Sequence, residues 1–200
     1  MQPKLHRNPN FFFGYNFFFT NFVKNSFMKK ILLSILLLFA LIVFASPINS
    51  DKYFQTAEKM QKKYNPKNKD YVIIIDFTKN LFADRLFLLD MKNKKVVLSC
   101  RVTHAYKSGY FYAKEFSNNP GTEKSCYGAF LTEYSRPGRY GYSMEISGLD
   151  KGINDKVRSR NIIFHPTTVL WYKGCFATSK ENNKKIIDLT KDGSLVYVIK

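Results

Sequence analysis

GAFLTEYSRPGRYGYSMEI, residues 128–146, decides the fold. Gly128–Tyr134 and Tyr140–Ile146 read as two strands, and the Pro and Gly of SRPGR between them mark a turn. The pattern repeats outward from there. FLLDMKNKKVVLS at 87–99 is strand, polar turn, strand, with the turn at Met91–Lys94 and the second strand running on through Cys100, Val102 and His104. YVIIID at 71–76 is a β-branched run without alternation and predicts a buried strand. Downstream, NIIFH at 161–165 is a second buried strand, ending in a histidine. IIDLT at 186–190 predicts one helical turn, broken by Gly193, and SLVYVI at 194–199 a closing strand. Residues 108–125 form a long polar loop and 154–160 a turn or short helix. Upstream, Ser50-Asp51 caps a helix at 51–64, where Phe54, Ala57, Met60 and Tyr64 recur at helical spacing, and 63–70 is a linker. Short strands with turn signals between them predict a mainly β sandwich or barrel with a few short helices. No internal repeat occurs, and no Gly-rich phosphate loop follows a strand, which leaves nucleotide chemistry without support.

The chain has 200 residues, 45% hydrophobic and 16% aromatic, with a formal net charge of +17. That much apolar surface excludes wholesale disorder. Three Cys exclude a disulfide framework and a four-Cys zinc site. The positive charge suits anionic surroundings such as cell-wall polymer or phospholipid heads. No zinc finger, helix-turn-helix or RNA-binding motif is present, so nucleic acid is not an expected partner.

Residues 1–45 stand apart. They hold ten of the 19 Phe and no acidic residue. Met28-Lys29-Lys30 is a short positive segment, ILLSILLLFALIVF at 31–44 an uncharged run, and Val43 and Ala45 suit the −3 and −1 positions of a signal peptidase site before Ser46. At ~1.5 Å per residue the run reaches about 21 Å, short of a hydrocarbon core of about 30 Å. Residues 28–45 are thus expected to be a signal peptide, which makes the protein exported, to the periplasm or cell envelope, with no membrane span after cleavage. Residues 1–27 are either an upstream start artefact or an extended n-region. Residues 46–69 are a helix and linker, and 70–200 the functional domain.

Two residues there suit nucleophilic catalysis. His165 ends a strand, and Cys175 follows Gly174 in a loop ten residues on. A thiol attacks as thiolate, and a nearby imidazole can take its proton. A glycine before the cysteine lets the chain turn tightly and present consecutive N–H groups to an oxyanion. Lys173 lies two residues before the thiol, where a cation would favour thiolate. The alternative is an ordinary solvated lysine. No His and Cys pair has metal-site spacing, and a metal would tie up the thiolate, so no metal is expected. Cys100 and Cys126 are either a disulfide or two buried thiols.

Together these segments carry a family resemblance. DFTKN at 76–80, RLFLLDMKNKKVVLSCRVTHAYKSG at 85–109, FSNNPGTEKSCYGAFLTEYSRPGRYGYSMEISGLDKGIND at 116–155, RNIIFH at 160–165, KGCFA at 173–177 and IIDLTKDGSLVYVI occur in one order. Residues 70–200 resemble the catalytic domain of murein L,D-transpeptidases, the YkuD-type fold, in its second subfamily. The resemblance implies a YkuD-like β-sandwich or barrel acting on peptidoglycan stem peptides. It implies that the Cys175 thiolate is acylated by a stem tetrapeptide, releases D-alanine, and passes the acyl group to an amine of another stem. Water at the same site would make an L,D-carboxypeptidase, and loss of chemistry a silent peptidoglycan-binding domain. The resemblance makes His165 the base, the Pro166 carbonyl its orienting partner, and the N–H groups of Gly174 and Cys175 the oxyanion donors. Tyr172, Lys173 and His104 are the candidate substrate contacts: His104 aligns with a family histidine, and Lys173, where the family varies, suits the carboxylate of the leaving D-alanine if it does not act on the thiol. No metal or organic cofactor is implied. Arg136, Arg139 and Arg160 are candidates for stem-peptide carboxylates or plain surface charge. The chain departs from the family pattern in six respects. Pro166 and Ala105 each replace a glycine, Tyr172 a serine and Phe176 a proline, the arginine that commonly precedes that serine is missing, and the segment from His165 to Cys175 is shortened.

Overall fold

Tyr71-Val72-Ile73-Ile74-Ile75 is uniformly apolar because both sides of its strand are covered. Ile73 and Ile75 face one core, with Leu86, Leu88, Phe130 and Phe164, whereas Val72 and Ile74 face another, with Phe87, Leu89 and Leu195. A strand buried on both faces has no reason to alternate. The structure, a computed structural model, describes residues 29–35 and 50–200. Residues 29–35 are helical and exposed. The rest of the expected signal segment, its cleavage point and residues 1–27 lie outside the described residues. Among the described residues no helix is long and apolar enough to cross a membrane.

From residue 50 the elements are α1 (Asp51–Tyr64), β1 (Asn68–Asp76), β2 (Leu86–Asp90), β3 (Lys95–Cys100), β4 (His104–Ala105), a 3-10 turn (Tyr106–Ser108), β5 (Gly128–Gly138) and β6 (Gly141–Gly148). They continue with β7 (Ile163–Pro166), β8 (Trp171–Tyr172), β9 (Phe176–Thr178), α2 (Lys180–Thr190) and β10 (Ser194–Ile199). Eight strands form one sheet in the order β3-β2-β1-β10-β5-β6-β7-β9, and β4 pairs with β8 separately. The β1–β10 and β7–β9 pairs are parallel. Cys100 from one end of the sheet and Phe176 from the other share one core. Thr103 N–H donates to the Ala177 carbonyl at 2.9 Å, so the chain leaving β3 reaches β9 and the sheet nearly closes on itself. The fold is mainly β, as the strand pattern predicts.

The second core is sealed by α1, whose Tyr53, Phe54, Ala57 and Met60 are buried against the outer face. Tyr53 O–H donates to the buried Asp76 carboxylate at 2.7 Å, and Lys52 lies 3.3 Å from the same group. The helix starts at the expected place, but Ser50 caps it with its backbone carbonyl, which accepts from Tyr53 and Phe54, and not with its side chain.

Several boundaries differ from the sequence reading. The expected linker at 63–70 shrinks to 65–67, because Asn65 adopts a left-handed cap and β1 starts at Asn68. The strand expected to run through His104 stops at Cys100, and His104 belongs to β4. SRPGR is not all turn: β5 continues through Pro137 to Gly138, and only Arg139 and Tyr140 bridge the hairpin. Proline fits because this half of β5 pairs with β6 alone, its other edge being free of the β10 ladder. The single helical turn expected at 186–190 is the end of α2, which begins at Lys180 behind Ser179, whose side chain accepts from Asn182 N–H. The polar run KENNKK hid that first half.

Candidate active site

His165 sits near the end of β7 because that strand crosses the core: Phe164 points into it, and alternation sends His165 to the other side. The parallel register pairs Phe164 with Phe176 and His165 with Ala177. Cys175 lies two residues before Ala177, so alternation puts its side chain on the His165 side of the sheet. Gly174 turns the chain into β9 at φ +114°, a conformation that side chains resist, and a Cβ there would meet the Lys124 carbonyl at 3.2 Å. Thr103 pins the segment that follows. Its hydroxyl donates to the Cys175 carbonyl and accepts from Ala177 N–H, both at 3.2 Å.

The imidazole is fully buried. Its Nδ1 lies 2.9 Å from the Pro166 carbonyl, which can only accept, so Nδ1 carries the proton and Nε2 holds a free lone pair. That Nε2 is buried without any partner. Two rings cover the imidazole: Tyr140 stacked at 4.8 Å and Tyr172 edge-on at 4.4 Å. Burial holds the imidazole below its ordinary pKa and the Pro166 bond opposes this in part, leaving a neutral base. Cys175 is only 8% exposed, and burial pushes its thiol above the ordinary value despite the Ile163 N–H and the Arg160 guanidinium beside it. The thiol donates to the Asn161 carbonyl at 3.5 Å, not to His165. The contact expected between Cys175 and His165 is therefore not a hydrogen bond in this state; the two groups share a side of the sheet with the proton parked elsewhere.

A cleft of about 680 Å³ opens over the thiol, lined by Tyr140, Tyr172, Trp171, Arg139, Arg160 and Lys173 among others. Lys173 is 78% exposed, and its ammonium pairs with Glu123 at 3.0 Å, so the cation acting on the thiol is Arg160. Arg160 donates to the Ser117 and Lys124 carbonyls, which hold it beside Gly174. His104 is not in this cleft. It is buried in the interior, where Nδ1 accepts from Arg85 at 2.9 Å and Nε2 donates to the Gly109 carbonyl at 2.7 Å. Burial lowers its pKa, and both nitrogens are engaged, which leaves none for a substrate. Cys100 and Cys126 are free, buried thiols, each pushed up to about 12 chiefly by burial. Sequence reasoning gave no role to Asn161 and read Tyr140 as the start of a strand. Asn161 has φ +53°, a conformation asparagine tolerates better than most residues.

No curated protein matches the chain in sequence. Among solved structures, an L,D-transpeptidase (Yku) from Stackebrandtia nassauensis aligns at 13% identity and TM-score 0.43, over 66% of this chain and 57% of that one. An L,D-transpeptidase from Mycobacterium smegmatis aligns at 9% and 0.41, over 66% and 59%. The helical cell shape determining protein Pgp2 from Campylobacter jejuni aligns at 11% and 0.46, over 66% and 48%. The chain thus spans less than two thirds of the length of these structures. The sequence profile of the L,D-transpeptidase catalytic domain, by contrast, matches residues 45–199. With nearly all of the described β domain inside that match, the chain belongs to the L,D-transpeptidase catalytic domain family.

Proposed function

We propose that the protein is an exported peptidoglycan L,D-transpeptidase with Cys175 as nucleophile and His165 as base. Support comes above all from His165: a buried, neutral imidazole whose Nε2 is free of any partner, covered by Tyr140 and Tyr172, which also line the cleft over Cys175. On substrate binding the thiol turns from the Asn161 carbonyl toward Nε2. The S–H proton passes to Nε2 as sulfur attacks the amide carbon between the diamino acid's L-centre and the terminal D-alanine. The N–H groups of Gly174 and Cys175 face the oxyanion. Collapse breaks the C–N bond, and His165 returns its proton to the departing amine. An acceptor amine then attacks the thioester, its proton goes to Nε2, and the C–S bond breaks to restore the thiol. Water in place of the amine gives the carboxypeptidase outcome.

Neutral partners suit this scheme, since a general base works best when it is unprotonated at the operating pH. Incubation with stem tetrapeptide is expected to release D-alanine, and carbapenem exposure to leave an acyl adduct on Cys175 that mass spectrometry reads. Cys175→Ala is expected to abolish both, and His165→Gln to slow release by about 10²–10⁴-fold. Absence of adduct and of D-alanine, with sacculus binding retained, would show a silent wall-binding domain instead. N-terminal sequencing of the protein recovered from cells is expected to begin at Ser46; an intact N-terminus would refute export with cleavage.

A further inference from the structure

Phe82, Phe111, Tyr110 and Trp171 form a continuous row of rings on the surface. Phe82 and Phe111 lie 6.0 Å apart, Phe111 and Tyr110 4.9 Å, and Tyr110 and Trp171 4.8 Å. Phe82, Phe111 and Tyr110 are 54%, 50% and 58% exposed. Burying such a ring is worth roughly 1.5–3 kcal/mol, so a row left in water marks a binding surface.

The loop that presents the row is built, not slack. Gly109 takes φ +136°, and a Cβ there would collide with the Tyr112 carbonyl. The Gly109 carbonyl is held by His104, His104 by Arg85, and Arg85 in turn by the Val102 carbonyl. The Phe111 carbonyl accepts from Leu81 N–H at 2.8 Å. Trp171 is fixed by its indole N–H, which donates to the Tyr110 carbonyl at 2.8 Å, and by the β4–β8 pairing opposite His104. The buried Arg85–His104 pair thereby gains a purpose that the chemistry at Cys175 does not give it: it positions this loop. A backbone held this firmly while its aromatic side chains stay in water is preorganised for a ligand.

We propose that this row docks the sugar faces of a β-linked amino-sugar glycan, the strand that carries the stem peptide; the inference rests on the peptidoglycan reading above. A pyranose offers a face of C–H groups and a rim of hydroxyls. Ring faces carry negative charge density that attracts the C–H groups, and the Tyr110 hydroxyl can meet the rim. Continuity selects this occupant over a lipid surface. Trp171 is at once the end of the row and part of the wall of the Cys175 cleft, so a stem peptide leaving the cleft carries its sugars onto the row.

Trp171 is the chain's one tryptophan, so its fluorescence reports where the row meets the cleft, and the variants at Tyr110 and Phe111 assign the signal to the row. The full chain carrying Cys175→Ala, titrated with the β-1,4-linked N-acetylglucosamine tetramer, is expected to give a saturable change at millimolar sugar. The Tyr110→Ser/Phe111→Ser variant is expected to bind at least tenfold more weakly with an unchanged Tm. In the Cys175-intact chain, disaccharide-tetrapeptide is expected to show a lower KM than sugar-free tetrapeptide, and the double variant to lose that difference with kcat unchanged. No saturable change, an unchanged Kd in the variant, or a response to phosphatidylglycerol vesicles in place of sugar would overturn the proposal. Sugar binding without turnover would sustain it and overturn the catalytic reading. Turnover without any preference for the sugar-bearing substrate would do the reverse.

Discussion

A thiol and an imidazole that both rest uncharged set the pH behaviour of the site. The folded protein disfavours the Cys175 thiolate, so alkylation must rise with pH through a folded-state pKa above the ordinary thiol value. The midpoint of Cys175 alkylation, followed peptide by peptide by mass spectrometry, is expected to lie above that of the denatured chain, near 8.5 for a free thiol. Arg160 favours the thiolate, so Arg160→Gln should move the midpoint further up, while Arg160→Lys, which keeps the charge, should leave it in place. A midpoint below the free-thiol value would mean an ion pair at rest and would overturn the neutral-pair account. On the imidazole side the sign is opposite. Burial lowers the His165 pKa, so the base stays free down to pH values below its ordinary ~6.5, and activity should hold on the acid side until that lowered value is passed.

At the scale of elements, the short turn from β8 into β9 sets the position of the sulfur. Gly174→Ala forces a side chain into φ +114° and against the Lys124 carbonyl and Ile162. It is expected to cost about 1–2 kcal/mol of stability in a urea titration, and to reduce turnover by more than that loss explains, because Cys175 must shift with it. Turnover unchanged in a folded Gly174→Ala protein would mean that the turn does not place the thiol. The strands that carry His165 and the central sheet were legible because their signal is local: YVIIID, NIIFH and SLVYVI are apolar runs with turn residues on either side. β8 and β9 were not legible, since two- and three-residue strands exist only through their partners, His104–Ala105 and Phe164–Pro166. The first half of α2 was hidden for a related reason. All of its residues but Asn183 lie toward water, and in the whole helix only Asn183, Ile186, Ile187 and Thr190 are buried. The site was legible as two residue types at a workable spacing. The partner that holds the resting thiol, Asn161, is a backbone carbonyl, and no side-chain identity encodes that.

For the whole molecule, the middle of the sheet is its most distant pairing in sequence. β1 lies between β2, its neighbour along the chain, and β10, with Val72 beside Leu195 and Ile74 beside Tyr197. β10 in turn lies between β1 and β5 and pairs with both. Within the ladder, β1–β2–β3 and β5–β6 therefore meet only when one strand slots between them. Loop-closure entropy has to be spent before that contact returns anything, and chains dominated by such contacts fold in milliseconds to seconds, not microseconds. Until then both hairpins expose bare inner edges that can pair with another chain. Refolding from urea is expected to show a slow main phase, and the recovered yield to fall as protein concentration rises. A fast, concentration-independent recovery would mean that β10 docks early. Last in the chain yet central in the sheet, β10 is the keystone of an arch, the one stone on which both sides lean.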